Sequence, residues 1–355
     1  MTKVHYWKWI LITCLVLLLT ACTNTGTSGV NVSSDNTSPV KEKELEPAIP
    51  GQASGSTQQA EGTPISEPTA EPYLTFQDLN GDTVTLENKP ERIIILNNEL
   101  TELFYQAGGQ AAGIATSAGV EIPEQAANVK QVGVISSVNM EEILQLKPDL
   151  VIGQPLFHKD LKSTFADSGI PFAILTVKSI EDIRNNAKLF GQIIGNEEQV
   201  QTAIGNMDAK LNELTADLPA NKPSYAIITL MANSVSLQKS SSIALDISSL
   251  LQMNNIAEDL LSGKTPSSVP FSMEKLVELN PEHIFIVVHG SDEEGQRMIQ
   301  SQLESNPSWK SLQAVKSGHL EILPPSMFVT SPGLKIWESV EYMKQLVFPF
   351  SAATQ

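Results

Sequence analysis

Apolar and polar residues alternate over 73–78 and again over 83–87, with Asn80-Gly81 between them. Period-two alternation around an Asn-Gly pair predicts a β-hairpin, because that pair accepts the positive φ angles of a tight turn. The pattern then changes. Residues 92–96 read Arg-Ile-Ile-Ile-Leu, the apolar run expected of a strand buried on both faces. A helical stretch follows Asn97-Asn98 and closes at Gly108-Gly109. Strand and helix candidates keep alternating at 112–116, 140–146, 150–152, 161–168 and 172–175, which predicts an α/β unit with a mostly parallel sheet. Ser179 opens a longer helical region, with Asp182 at the capping-box position. Ile183, Ala187, Phe190 and Ile194 recur at helical spacing, Gly195-Asn196 interrupts, and Val200, Ile204, Met207, Leu211 and Leu214 resume it. A second α/β set runs from a strand at 225–230 to a helix at 334–346. The expected architecture is α/β, with two Rossmann-like lobes over 73–178 and 222–350. A long backbone helix over 179–216 links them, and a ligand cleft lies between.

Neither period governs the first 72 residues. Lys3 and Lys8 flank the start of an apolar run over 9–19, broken only by Thr13 and ending in Leu-Thr-Ala-Cys at 19–22. A charged start, a short apolar stretch and small residues before a cut make a secretory signal. The run is shorter than the roughly 20 apolar residues that span a bilayer. Its end resembles the lipobox of bacterial lipoproteins. The resemblance implies a signal peptide over 1–21, a diacylglyceryl group on the Cys22 sulfur, and an extracytoplasmic protein anchored to the cell membrane by lipid. Residues 22–72 are dominated by Ser, Thr, Gly, Pro, Gln and Glu and are expected to form a disordered tether. Cys14 and Cys22 are the two cysteines of the chain, so beyond Cys22 there is no disulfide, thiolate metal site or cysteine nucleophile. The formal net charge of −17 opposes binding to nucleic acid, and a nucleic-acid partner is excluded on that ground.

Residues 139–152, Asn-Met-Glu-Glu-Ile-Leu-Gln-Leu-Lys-Pro-Asp-Leu-Val-Ile, lie over residues 272–285, Ser-Met-Glu-Lys-Leu-Val-Glu-Leu-Asn-Pro-Glu-His-Ile-Phe. The offset is constant (274 − 141 = 133 and 281 − 148 = 133). Each copy reads as a short helix with an early glutamate, a Pro-acid turn and a buried strand. The order of lipobox, tether, hairpin, Pro90-Glu91-Arg92, Val132-Gly133, first copy, helical link and second copy resembles the helical-hinge substrate-binding proteins of ABC importers for iron-siderophore, haem and cobalamin. The resemblance covers about 73–348. It implies an iron chelate, siderophore or haem, as ligand, with cobalamin as the alternative, and an importer permease dimer as partner. By motif it also implies permease docking through Glu141 and Glu274. A monomer is expected.

Open α/β sheets bind ligands beyond the carboxyl ends of their strands. Those ends are Asn97-Asn98, Thr116-Ser117, 154–158, Met231 to Asn233 and His289-Gly290. His158 and His289 follow the repeated strands, and imidazole is a common haem-iron ligand. Val288-His289-Gly290 resembles the Ala-His-Gly at which some haem receptors place an axial histidine. The loop 133–138, where those receptors supply a methionine, has none here, which leaves His158 or Met231 as candidate second ligands. Asn97, Asn98 and Lys239 complete the candidate binding set. The chain's arginines, Arg92, Arg184 and Arg297, fall at no strand end, which disfavours a strongly anionic tris-catecholate.

Enzyme motifs fail in detail. Ser262-Gly263-Lys264-Thr265 imitates the end of a phosphate-binding loop, but Glu258 stands where its first glycine belongs. No Gly-x-Ser-x-Gly or His-Glu-x-x-His occurs. A binding protein rather than an enzyme is expected, with a secreted hydrolase as the alternative of a different class.

Overall fold

A computed structural model describes residues 71–349. The signal segment, Cys22 and most of the tether lie outside the described residues. The hairpin expected from alternation is present: β1 (Leu74–Gln77) pairs antiparallel with β2 (Thr83–Leu86). The Asp78 carboxylate staples the turn by accepting the Asn80 and Asp82 amides, while Gly81 takes φ +79°.

The first lobe continues through β3 (Ile93–Ile95), α1 (Thr101–Gln106), β4 (Ala111–Thr116), β5 (Lys130–Val134), β6 (Ser137–Val138), α2 (Met140–Gln145), β7 (Leu150–Gly153), α3 (Pro155–His158), α4 (Lys162–Asp167) and β8 (Phe172–Ile174). Its sheet has the order β6-β5-β4-β3-β7-β8 and is parallel except at the β5–β6 turn. Two helices follow, α5 (Ile180–Ile194) and α6 (Glu197–Thr215). The second lobe contains β9 (Ser224–Met231), β10 (Ser234–Gln238), α7 (Ile243–Leu250), β11 (Asn254–Asn255), β12 (Ser268–Pro270), α8 (Met273–Leu279), β13 (His283–His289), α9 (Asp292–Met298), α10 (Gln313–Lys316), β14 (Leu320–Ile322), α11 (Pro325–Phe328) and α12 (Ile336–Val347). Its sheet runs β12-β10-β9-β13-β14, with β9, β13 and β14 parallel.

Strand periodicity explains how the lobes hold together. In a sheet covered on both sides, successive side chains enter different cores. Ile93, Ile95, Leu150 and Ile152 of the first sheet, and Tyr225, Ile227, Phe285 and Val287 of the second, point into one continuous apolar core. The intervening residues do not. Ile94 and Val151 pack into a cluster private to the first lobe, and Ala226, Ile228, Ile284 and Ile286 into one private to the second. The shared core is completed by residues of α5, α6, α7 and α12. The lobes are joined by packed side chains as well as by the chain.

The link itself differs from one continuous helix. The capping box forms as expected, Ser179 accepting the Asp182 amide and Asp182 accepting the Ser179 amide. At Gly195, however, the chain enters the left-handed region (φ +66°) and reverses. Arg184 and Asp208 are 24 residues apart in sequence, which on one straight helix would separate them by about 36 Å. Instead the Arg184 guanidinium bonds Asp208 at 2.8 Å, so α5 and α6 pack antiparallel. A Cβ on Gly191 would meet Val200 and Glu197 at 3.3 Å, so this glycine permits the close approach of the two helices. The interruption at Gly195-Asn196 is thus a turn, and the lobes are linked by a helical pair.

The repeat extends to the backbone and to exposure. Residues 139–148 and 272–281 share one burial pattern at every position, with Ile143 and Leu276 fully buried. Asn139 and Ser272 both cap their helices through their side chains. Lys147 and Asn280, each just before the proline, both take positive φ (49° and 40°). The following acids act alike: Asp149 accepts the Glu91 and Arg92 amides ahead of β3, and Glu282 accepts the Ser224 amide at the start of β9.

Candidate functional site

The first sheet reverses its direction of winding once, and the second flanks its first strand on both sides. In the first lobe the chain runs outward from β3 to β4 and β5, then returns to place β7 on the other side of β3. In the second, β10 and β12 lie on one side of β9, and β13 and β14 on the other. Loops leave such a point in opposite directions and open a crevice beyond the strand ends. The crevice residues are Asn97–Glu99 and 154–158 in the first lobe, and 231–233 and 289–290 in the second. Every strand-end ligand candidate named from the sequence, other than Lys239, lies there.

Their chemistry differs between the lobes. The Asn97 side chain is buried, donating to the Leu175 carbonyl at 2.8 Å and accepting the Glu99 amide at 3.0 Å. His158 is also buried. Its Nδ1 accepts the Gln154 amide at 3.1 Å, which leaves Nε2–H to donate to the Ile135 carbonyl at 2.8 Å. Burial holds its pKa below the usual imidazole value. With both nitrogens engaged, His158 is a brace between α3 and the β5–β6 turn and presents no free nitrogen to a ligand. That corrects its expected place in the binding set. The Lys239 Nζ donates to the Leu260 carbonyl and ties down the loop before β12. Asn98 remains half-buried in the crevice.

His289 and Met231 are placed differently. They are register partners at the ends of β13 and β9, so their side chains leave the sheet on the same side, about 5 Å apart. Met231 is 43% exposed. His289 has no hydrogen-bonding partner for its ring among the described residues, and partial desolvation of the imidazole by the surrounding protein lowers its pKa. A neutral imidazole and a thioether therefore stand side by side at the crevice.

The lobes meet over this crevice. A Cβ built on Gly119, in the loop after β4, would stand 2.1 Å from the Gly290 carbonyl oxygen. At a separate point the Ile180 amide donates to Asp246 at 2.8 Å, crossing from α5 to α7. A cavity of about 440 Å³ opens there, lined from both sides by residues including Leu79, Lys178, Asp182, Ser241, Ser242 and Asp246.

Glu99 was not singled out from the sequence. It follows β3 at the crevice, where burial pushes its carboxyl up to about 7, with Asp182 adding to the shift and the Val177 backbone and Lys178 opposing it. Its position directly after a strand-end Asn pair was the available signal. The Asp182 carboxylate accepts the Lys178 and Ser179 amides, so part of the acid lining is taken up in helix capping.

Glu141 and Glu274 are exposed in the first turns of α2 and α8, as a carboxylate near a helix N-terminus favours.

Known proteins share this architecture. The iron-uptake system-binding protein of Bacillus subtilis is 24% identical over 58% of this chain, and the match spans 64% of that relative's length. The solved structure of IsdE from S. aureus with heme covers 72% of this chain and 98% of its own, at 18% identity and a TM-score of 0.64. The triscatecholate siderophore-binding protein FeuA from Bacillus subtilis, with ferri-bacillibactin, covers 77% and 96%, at 21% identity and a TM-score of 0.62. At these identities the two structures establish likeness of fold. A family model for periplasmic binding proteins, a family of binding proteins rather than enzymes, matches residues 93–327, and the chain belongs to that family.

Proposed function

We propose that this protein captures an iron chelate, siderophore or haem, outside the cytoplasm and delivers it to the permease of an ABC importer. In this reading it is held at the membrane through a lipid on Cys22, and Glu141 and Glu274 dock on the permease. The observation that carries the ligand class is the His289–Met231 pair at the crevice. An imidazole with no competing hydrogen bond, kept neutral by its surroundings, is suited to coordinate haem iron, and the neighbouring thioether adds polarizable packing or ligation. The relatives named above bind iron cargo or haem, which supports the same class. Glu99, Asp182 and Asp246 near the crevice, against Lys178, weigh against a strongly anionic tris-catecholate and favour haem or a hydroxamate complex.

Haemin titration of the purified chain tests this. The expected outcome is a shifted Soret band on binding, with His289→Ala changing the spectrum or weakening binding at least tenfold. No spectral change with the wild-type chain would remove haem. Ferric siderophores would then be screened by fluorescence quenching, each against its iron-free form.

A further inference from the structure

The end of β13 remote from the crevice carries a second pair of histidines. His283 opens β13 and His289 closes it, so on a strand rising about 3.3 Å per residue the two lie roughly 20 Å apart. His283 stands one residue before the register pair Ile284–Leu320, which sets it opposite His319. The Ile284 amide donates to the His319 carbonyl at 2.9 Å and fixes that pairing. The two imidazoles stack, with ring centroids 4.6 Å apart and an interplanar angle of 10°. Phe285, the next residue on that face of β13, lies 6.0 Å from His283 on its other side.

Packing does not account for an imidazole here. His283 is 6% exposed, yet among the described residues neither of its ring nitrogens has a hydrogen-bonding partner. A buried polar group without a partner is costly, and a phenyl ring would stack on Phe285 without that cost. No buried side-chain nitrogen among the described residues is sealed from solvent without a partner, so the His283 nitrogens stay reachable from outside. Burial, with His319 adding to it and Glu282 opposing, holds the His283 pKa below the usual imidazole value. The ring is therefore neutral, with a lone pair to offer. His319 is exposed, and its Nδ1 lies 3.2 Å from the Glu282 carbonyl. A carbonyl only accepts, so Nδ1 carries the hydrogen and Nε2 keeps its lone pair. Metal-ligating histidines are held in the same way, the second nitrogen donating to a carbonyl.

We propose that His283 and His319 form a two-imidazole site for a late first-row divalent cation, Cu²⁺ before Ni²⁺ or Zn²⁺, separate from the crevice. Imidazole suits these ions, and Cu²⁺ binds a given nitrogen site most tightly. Two nitrogens at about 2.0–2.1 Å from one ion stand about 3–4 Å apart, close to the spacing of the stacked rings. Stacking leaves the lone pairs parallel, so binding turns each ring about its terminal torsion, which is broad in histidine. Among the described residues no third His, Cys, Asp or Glu joins the pair, and water completes the coordination. The ion would tie β13 to β14, the edge strand of the second sheet.

Copper titration of the chain, purified without a histidine tag and followed by electron paramagnetic resonance, tests the assignment. The His289→Ala background keeps the crevice imidazole out of the measurement. One equivalent of Cu²⁺ is expected to bind with hyperfine structure from two imidazole nitrogens, and to raise the melting temperature. Adding His319→Ala, at an exposed ring, should weaken Cu²⁺ binding about tenfold or more, since even outer-shell changes cost that much. It should also remove one nitrogen from the spectrum and abolish the rise in melting temperature. His283→Phe, which keeps the stack on Phe285, should do the same, and if it fails to fold the His319→Ala comparison decides alone. Copper affinity and spectrum unchanged by His319→Ala would overturn the site, as would a single-nitrogen spectrum before any change at 283 or 319.

Discussion

The two lobes agree on the outside and disagree at the crevice. Along α2 and β7 in one, and α8 and β13 in the other, burial, capping, a positive-φ residue and a strand-start carboxylate recur at one offset. Yet the crevice end of the first lobe is closed in on itself, with Asn97 and His158 spending their polar atoms on the backbone. That of the second lobe leaves His289 free and Met231 exposed. The difference separates two tasks. In the proposed reading the first lobe supplies a braced wall, and the second supplies the groups that touch a ligand.

The largest expected effect tests that division on its two histidines. His158→Ala removes both hydrogen bonds of a buried ring and leaves the Gln154 amide and Ile135 carbonyl without partners, at a cost of about 2–4 kcal/mol. His289→Ala should alter stability by less than about 0.5 kcal/mol, because a ring with no hydrogen-bonding partner is lost. Urea denaturation of both variants measures the contrast, and similar costs would break it. The pH dependence sharpens it. In the folded protein His158 has a lowered pKa, so the unfolded state binds the proton first. Its stabilising contribution is complete above the ordinary value of 6.5 and is lost as pH falls from there through the lower folded value. The gap in stability between the wild type and His158→Ala should therefore narrow as the solution is acidified below pH 6.5.

How much of this was legible in the sequence depended on range. The hairpin, the capping box at Ser179 and the repeat are set by residues a few positions apart, and they could be read from local chemistry. The strand ends could also be read, because a run such as 283–289 carries its own boundaries. Side-chain direction at those ends could not. His158 and His289 look alike in sequence, and what separates them is the Ile135 carbonyl, which a different part of the chain brings to His158. Lys239 is tied down by Leu260 in the same way. The reversal at Gly195-Asn196 showed as a break in periodicity, but its geometry depends on Arg184 meeting Asp208 and on Gly191 admitting Val200. Glu99 lacked a motif altogether, because its raised pKa comes from burial and from Asp182.

Glu99 gives the next largest test, of whether the first lobe's wall is inert or carries a charge of its own. Its carboxyl is pushed from 4.5 up to about 7, so between those values the folded state holds a proton that the unfolded state has released. Stability then falls as pH rises across that window and stays reduced above it. Glu99→Gln should raise stability at pH 8 by about 1–2 kcal/mol, and the gain should vanish below pH 4.5. Paired melts at the two pH values measure this. A gain equal at both would trace to packing, and a loss at pH 8 would mean that the wall depends on the ionised carboxylate.

The smallest effect bears on the part of the molecule where the lobes look most alike. Asp149 and Glu282 occupy equivalent positions, but Asp149 accepts two backbone amides, from Glu91 and Arg92, and lies 3.5 Å from the Arg92 guanidinium. Glu282 accepts the Ser224 amide and hydroxyl through one oxygen. Both sites are partly solvated, so the ionic part contributes little. Asp149→Asn should cost about 1–1.5 kcal/mol and Glu282→Gln about 0.5–1 kcal/mol, because one more charge-assisted amide bond is weakened in the first case. Urea midpoints at unchanged slope read the difference. If Glu282→Gln proves the costlier, tighter polar bracing is not a property of the first lobe as a whole, and the contrast between the lobes narrows to Asn97 and His158 at the crevice.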